Sequence, residues 1–340
     1  MVDIKLKLIS LAQLLTSFFS LNRPAVVFMG LPFAMVGVAY ALISTNSSIT
    51  LLQAALGITA VFLVTGGVHT MDDVFDRKRD RGMWPNRALS LGFATPKQAT
   101  LIAIICFIIG LSITLIIFNI ITFLILVLAT SLTIMYSGYL RDRYGYLTLP
   151  LLIGLFPLGG FSAIAPSQLF NDLIPWILFV MVALWQAGHI LAYSPPHGIE
   201  PDGRTTVPTL FKRLSPSRTL LMADIVITVL TIMSIYLYYL INLSQFYLII
   251  AILSGSFTSI ITYYVSSEKN CTIPNCMKAT LTISTYGAGL FLLITFELLI
   301  RYSYDYFLIL FILTTILLIL SIPVFIGTGT PYLENYDYLS

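Results

Sequence analysis

Apolar runs of about 20 residues follow one another along almost the whole chain, separated by short polar breaks. That is the length a helix needs to cross a bilayer. Ten such runs are predicted as spans: about 24–44, 49–70, 99–117, 120–138, 147–165, 173–194, 218–240, 245–265, 279–300 and 305–327. They are too long and too continuously apolar for the alternating strands of a barrel, so the pattern predicts an all-α, multi-spanning transmembrane helix bundle. Residues 1–21 differ. Asp3, Lys5 and Lys7 precede a Leu/Phe-rich stretch without a small-residue cleavage site, which predicts an interfacial amphipathic helix and not a signal peptide.

Composition supports a membrane protein. Hydrophobic residues make up 58% of the 340 and charged residues 10%, with a mean hydropathy of +0.93. The expected organisation is an interfacial segment at 1–21, one membrane domain over 22–327 and a cytoplasmic tail at 328–340. Charge orients the bundle. If all ten spans cross, every basic residue except Arg301 falls on one side, which the positive-inside rule makes cytoplasmic. Dropping one of the first eight spans would scatter those residues over both faces. Two long loops, 71–98 and 195–217, then leave the membrane on the cytoplasmic side. Membrane lipids are expected partners and nucleic acid is not. Cys106 lies within a span, whereas Cys271 and Cys276 form a C-x4-C pair in a loop, readable as a metal pair or as plain loop residues.

The charge that remains is concentrated. Asp72-Asp73-Val74-Phe75-Asp76-Arg77-Lys78-Arg79-Asp80 places four carboxylates at the end of an apolar run. If the helix continues through them at about 100° per residue, all four fall within an arc of roughly 100°, and Asp73, Asp76 and Asp80 within about 60°. Like charges on one face repel, a cost that a divalent cation offsets. Carboxylate oxygens are the ligands Mg²⁺ takes, usually together with a substrate's phosphates. The same residues also read as a solvated loop whose acids pair with Arg77, Arg79 and Arg81. Gly82 and Pro85 are predicted to stop the helix and return the chain over the acidic face, bringing Arg87 near it. A guanidinium there suits phosphate oxygens, and equally lipid headgroups.

Two further segments on the same side carry candidate chemistry. Ser194 to Thr209 contains His197, Glu200, Asp202 and Arg204, a sparser set that reads as a capped turn or as ligands. Tyr136-Ser137-Gly138-Tyr139-Leu140-Arg141 offers phenols and a cation at a helix end, where tyrosine also serves as an interface anchor.

These residues resemble the UbiA-type intramembrane prenyltransferase superfamily. Its first motif, N-D-x-x-D-x-x-x-D with R-P-(L/I)-x-x-G beginning fifteen residues after the Asn, is similar to Asp72-Asp73-x-x-Asp76-x-x-x-Asp80 followed in register by Arg87-Ala88-Leu89-x-x-Gly92. Asn22-Arg23-Pro24 resembles the Arg-Pro often found before the family's first span, and Tyr136 and Arg141 fall where a Tyr and a Lys/Arg are expected. The second motif, D-x-x-x-D-x-x-x-x-x-T-L-P, is matched at its end by Thr206-Val207-Pro208. Glu200 then stands at the later acid and Pro196 where the earlier Asp belongs, with His197, Asp202 or Asp72 as replacements. The resemblance covers roughly residues 20 to 300. The family's usual count is nine spans, so nine to ten are expected, with the active-site loops cytoplasmic.

The resemblance implies transfer of an isoprenyl group from an isoprenyl diphosphate to a hydrophobic acceptor, aromatic or lipid, with Mg²⁺ as cofactor. It assigns metal binding to Asp72, Asp73, Asp76, Asp80, Glu200 and Asp202. Diphosphate binding goes to Arg87, Arg141 and Arg204, and catalysis to Asp73, Asp76, Tyr136, Tyr139, His197 and Glu200. Trp185-Gln186-x-x-His189 is similar to a stretch in haem O synthases, which makes farnesyl transfer to protohaem an alternative. The spacing from the Asp cluster to Arg87 is that of the lipid- and quinone-type members instead. A transporter is the reading from another class. It calls for ionisable residues near mid-membrane, where this chain offers only Asp224, Glu297, His69 and His189.

Overall fold

Polar residues placed just before apolar runs start the helices. Thr95 accepts from the backbone N–H of Gln98 while the Gln98 side chain accepts from the Thr95 backbone, a capping box with Pro96 behind it. Asn119, Ser215 and Ser244 cap three later helices through their side-chain oxygens. The computed structural model describes residues 21, 23–83, 87–197, 214–301, 312, 315 and 316. Among them stand nine α-helices: α1 Pro24–Ser44, α2 Leu51–Met83, α3 Pro96–Ile113, α4 Ile120–Met135, α5 Arg141–Ile164, α6 Ile174–His197, α7 Pro216–Leu240, α8 Gln245–Ser266 and α9 Ile273–Arg301. There is no strand among the described residues.

Nine of the ten predicted runs are these helices; the tenth, 305–327, lies outside the described residues apart from 312, 315 and 316, as does 1–20. Among the described residues, eight helices are long and apolar enough to cross a membrane, and Gly30–Ser44 of α1 is a shorter apolar stretch. The chain is a multi-pass membrane protein. Two π-helical segments, Thr114–Phe118 after α3 and Tyr136–Leu140 between α4 and α5, are not signalled by the apolar pattern.

The chain divides into two compact units, Met1–Leu31 with Leu52–Ile117 and Ile312–Ser340, and Pro32–Leu51 with Phe118–Phe311. In the first, α3 buries Ala99, Ala103, Cys106 and Gly110 and exposes Leu101, Ile104, Ile105 and Ile108. This inverts the water-soluble pattern. Lipid takes the large side chains, and small residues let helix backbones approach. Leu21, Val74 of α2, Ala88, Leu89 and Ala94 of the following loop, and Ala99 and Ile102 of α3 form its apolar cluster.

In the second unit α5 packs against α4 and α6, α6 against α7 and α9, and α8 against α7 and α9. The Phe33 ring of α1 lies tilted against Trp185 at 4.5 Å and meets Phe291 edge-on at 5.2 Å. Helices α1 and α5 cross backbone to backbone. A methyl group on Gly37 would collide with the Pro157 carbonyl, and one on Gly160 with the Ala34 carbonyl. The intramembrane carboxylates have local partners. Glu297 accepts from the Ser244 backbone N–H at 3.2 Å and from the Ser244 hydroxyl at the start of α8, and Asp224 accepts from the Ser259 hydroxyl.

Candidate diphosphate site

Helix α2 does not end where its apolar run ends. It continues to Met83, so the acidic segment is helical and its residues keep the 3.6 period. His69, Asp73 and Asp76 follow one another at spacings of four and three, on one stripe. Asp73 and Asp76 are buried, 2% and 8% exposed, and Asp72 is half-buried beside them. The side chain of Asp80 lies outside the described residues. Burying carboxylates without partners is costly. Asp73 has two: Arg23 donates to its Oδ1, and Arg87 Nη1 lies 3.3 Å from the same oxygen.

Local structure brings Arg87 there. Leu91 N–H donates to Arg87 O at 2.9 Å, closing one helical turn. Phe93 N–H then donates to Ala88 O at 2.9 Å and Gly92 N–H to Leu89 O at 3.3 Å, the paired bonds of a Schellman stop. Gly92 sits in the left-handed region this stop requires, at φ 73°. Ala88 is buried in the apolar cluster and anchors the turn from below. The R-x-L-x-x-G spacing thus has a physical meaning. The arginine starts a single turn and the glycine ends it. Gly92→Ala leaves the surroundings unclashed, since a Cβ there meets nothing within 4 Å. It should still cost about 1 kcal/mol from the backbone alone and raise KM for the diphosphate substrate. Paired measurements of melting temperature and KM check this.

In the sequence Arg23 stands out only as part of an Arg-Pro pair before the first span. The structure makes it the second cation on Asp73, from 50 positions away. The sequence signal was the lone charge ahead of Pro24. Its backbone is also unusual, at φ 46°, a region non-glycine residues rarely occupy.

The remaining candidates divide. Arg141, buried at the start of α5, stands 5.4 Å over the Tyr136 ring, within cation–π range. Tyr136 and Tyr139 belong to the π segment, a feature frequent at functional sites. Tyr139 is 78% exposed and is not drawn in with them. Glu200, Asp202 and Arg204 lie outside the described residues, as does the side chain of His197 at the end of α6. His189 is stacked between Trp185 and Tyr193, and its Nδ1 lies 2.8 Å from the Ser284 hydroxyl, the bonding of a half-buried histidine to a neighbouring helix. The Cys271 and Cys276 sulfurs are 3.6 Å apart, both thiols free, and burial raises the Cys271 thiol above its usual pKa. No three His, Cys, Asp or Glu side chains among the described residues are grouped to hold a metal by themselves.

A multi-pass helical protein with buried carboxylates and arginines facing each other at the end of one helix is the class this geometry defines. The UbiA prenyltransferase family model matches residues 30–282, well over half of the chain. The chain belongs to that family and is a prenyltransferase. A digeranylgeranylglyceryl phosphate synthase from Methanosphaera stadtmanae is 28% identical over 202 residues, 58% of this chain and 71% of the relative. The fold is similar to a solved structure from work on digeranylgeranylglyceryl phosphate synthase in membranes, with a TM-score of 0.63, 22% identity, and 84% of this chain and 98% of the other covered. A UbiA homologue from Archaeoglobus fulgidus, solved with DMAPP and Mg²⁺, aligns with a TM-score of 0.58 at 16% identity over 81% of this chain and 99% of that one.

Proposed function

We propose that this prenyltransferase moves an isoprenyl group from an isoprenyl diphosphate to the hydroxyl of a glycerol-phosphate lipid, at a face open to the cytoplasm. The observation that carries the donor half is Asp73, a buried carboxylate held by two arginines on a stripe of further acids. The acceptor half is supported by the relatives named for digeranylgeranylglyceryl phosphate. The cytoplasmic orientation rests on the one-sided distribution of basic residues.

The donor set fits Mg²⁺. Hard carboxylate oxygens stand at spacings of one, three and four on a helix, and Mg²⁺ is ordinarily held by one or two carboxylates with phosphates and water completing its shell. Asp73 and Asp76, with Asp72 and Asp80, would hold it. When bound, it would neutralise the diphosphate and make it a better leaving group. Arg87 and Arg23 bind phosphate oxygens and keep the leaving group oriented. The donor's carbon–oxygen bond to diphosphate breaks, the lipid oxygen forms the new ether bond, and the hydroxyl proton passes to a base. The apolar surroundings keep water from the allylic carbon as its positive charge develops. The roles that the family resemblance gives to Arg141, Arg204, Tyr136, Tyr139, His197, Glu200 and Asp202 stand as part of this proposal.

The test is direct. Purified protein with Mg²⁺ and geranylgeranyl diphosphate is offered geranylgeranylglyceryl phosphate or 4-hydroxybenzoate, and products are identified by mass. Ether product and diphosphate should form in equal amounts with the lipid, stop on addition of EDTA and return with excess Mg²⁺. Prenylation of the aromatic acid alone would replace the lipid acceptor by a quinone precursor. No diphosphate release with either acceptor would end the proposal.

A further inference from the structure

Asp73 faces two positive groups through one oxygen. Its carboxylate is 2% exposed, and the two guanidinium groups on it are each 21% exposed. Arg23 reaches it from a left-handed backbone, a conformation that persists only where the surroundings hold it. A divalent cation arriving alone meets an oxygen already facing two positive groups, both of which it would repel. A diphosphate arriving alone meets arginines already paired with Asp73, beside the further negative charge of Asp72 and Asp76.

Arriving together, the two remove both obstacles. Asp73 passes to the cation, and the guanidinium groups pass to the phosphate oxygens, so no buried charge is left unpaired. We infer that Arg23 is the gate of this site: it occupies Asp73 in the ligand-free protein and releases it only to cation and diphosphate together, which makes their binding cooperative. By linkage each ligand tightens the other by the same factor. The inference rests on the diphosphate reading of the same site, and adds that the cation is not a resident one.

Two measurements on the full chain in detergent test it, neither needing turnover. Isothermal titration with MgCl2 alone compares wild type with Arg23→Gln. The variant should bind at least about fivefold more tightly, because one competing charge is gone. Melting temperatures are then taken with MgCl2, with inorganic pyrophosphate and with both. In wild type the joint stabilisation should exceed the sum of the separate ones, and in Arg23→Gln that excess should shrink, Arg87 still facing the same oxygen. Arg87→Gln, which frees the same oxygen, should shift both readouts in the same direction and replaces Arg23→Gln should the latter not fold. Equal MgCl2 affinity in wild type and both variants, with additive stabilisation, overturns the gate and leaves the diphosphate site standing. Absence of any binding to wild type, singly or jointly, overturns both.

Discussion

Replacing Asp73 by asparagine is expected to lower kcat/KM for prenyl transfer by about three orders of magnitude while leaving the protein folded. Asparagine keeps the shape but removes the charge that the site is built around, and loss of one such electrostatic group typically costs 10²–10³ in rate. Here both the cation and the arginines depend on the same oxygen, which places the effect at the upper end. Stability should change by only about 1 kcal/mol. Arg23 and Arg87 are partly exposed and can be solvated once their partner is neutral, and the variant is spared the desolvation of a buried carboxylate. Asp224→Asn is the control. That carboxylate lies within α7 and accepts from Ser259, away from the acidic stripe in sequence and in a different compact unit. Near-wild-type kcat/KM is expected for it. Equal losses in the two variants, or wild-type turnover in Asp73→Asn, would remove Asp73 from the chemistry.

Gly160→Val should give a larger loss of stability than valine at Gly154 or Gly159 of the same helix, about 3 kcal/mol. The added Cβ would collide with the Ala34 carbonyl, and that neighbour is backbone, which cannot step aside as a side chain can. Helices α1 and α5 would have to part, giving up the close packing that takes the place of a hydrophobic driving force between helices in lipid. Gly159→Val, one position away, is the internal comparison. A Cβ there meets only Ile125 at 3.7 Å, an ordinary contact, so the variant should melt close to wild type. Melting temperatures in a single detergent decide the matter, and equal melting of the two variants would mean that the α1–α5 crossing is not what the glycine serves.

The spans were readable because lipid imposes its requirement residue by residue. A backbone in hydrocarbon must satisfy its own hydrogen bonds, so every long apolar run becomes a helix wherever it lies in the chain. The acidic stripe was readable for the same reason, since α2 continues through Asp72 to Asp80 and the helical period alone puts the carboxylates on one face. The return of Arg87 could be expected from Gly82 and Pro85, but not the means. That Ala88, Leu89 and Gly92 form one turn with a Schellman stop depends on bonds to particular carbonyls.

Arg23 shows the boundary most clearly. Its sequence says only that a cation precedes Pro24, and any of several carboxylates in the chain could have been its partner. Its pairing with Asp73 joins residues 50 positions apart and exists only because α2 and the segment before α1 are set side by side. The π segment at Tyr136–Leu140 and the cation–π placement of Arg141 are of the same kind, since no local propensity selects them. The amino-acid sequence by itself determined which of the described segments are apolar helices long enough to span a membrane, and the register of acids along α2. These are short-range consequences of helix period and lipid. The tertiary structure alone decided which arginine meets which carboxylate and which small residues touch, because those depend on distances between segments that the chain order does not contain.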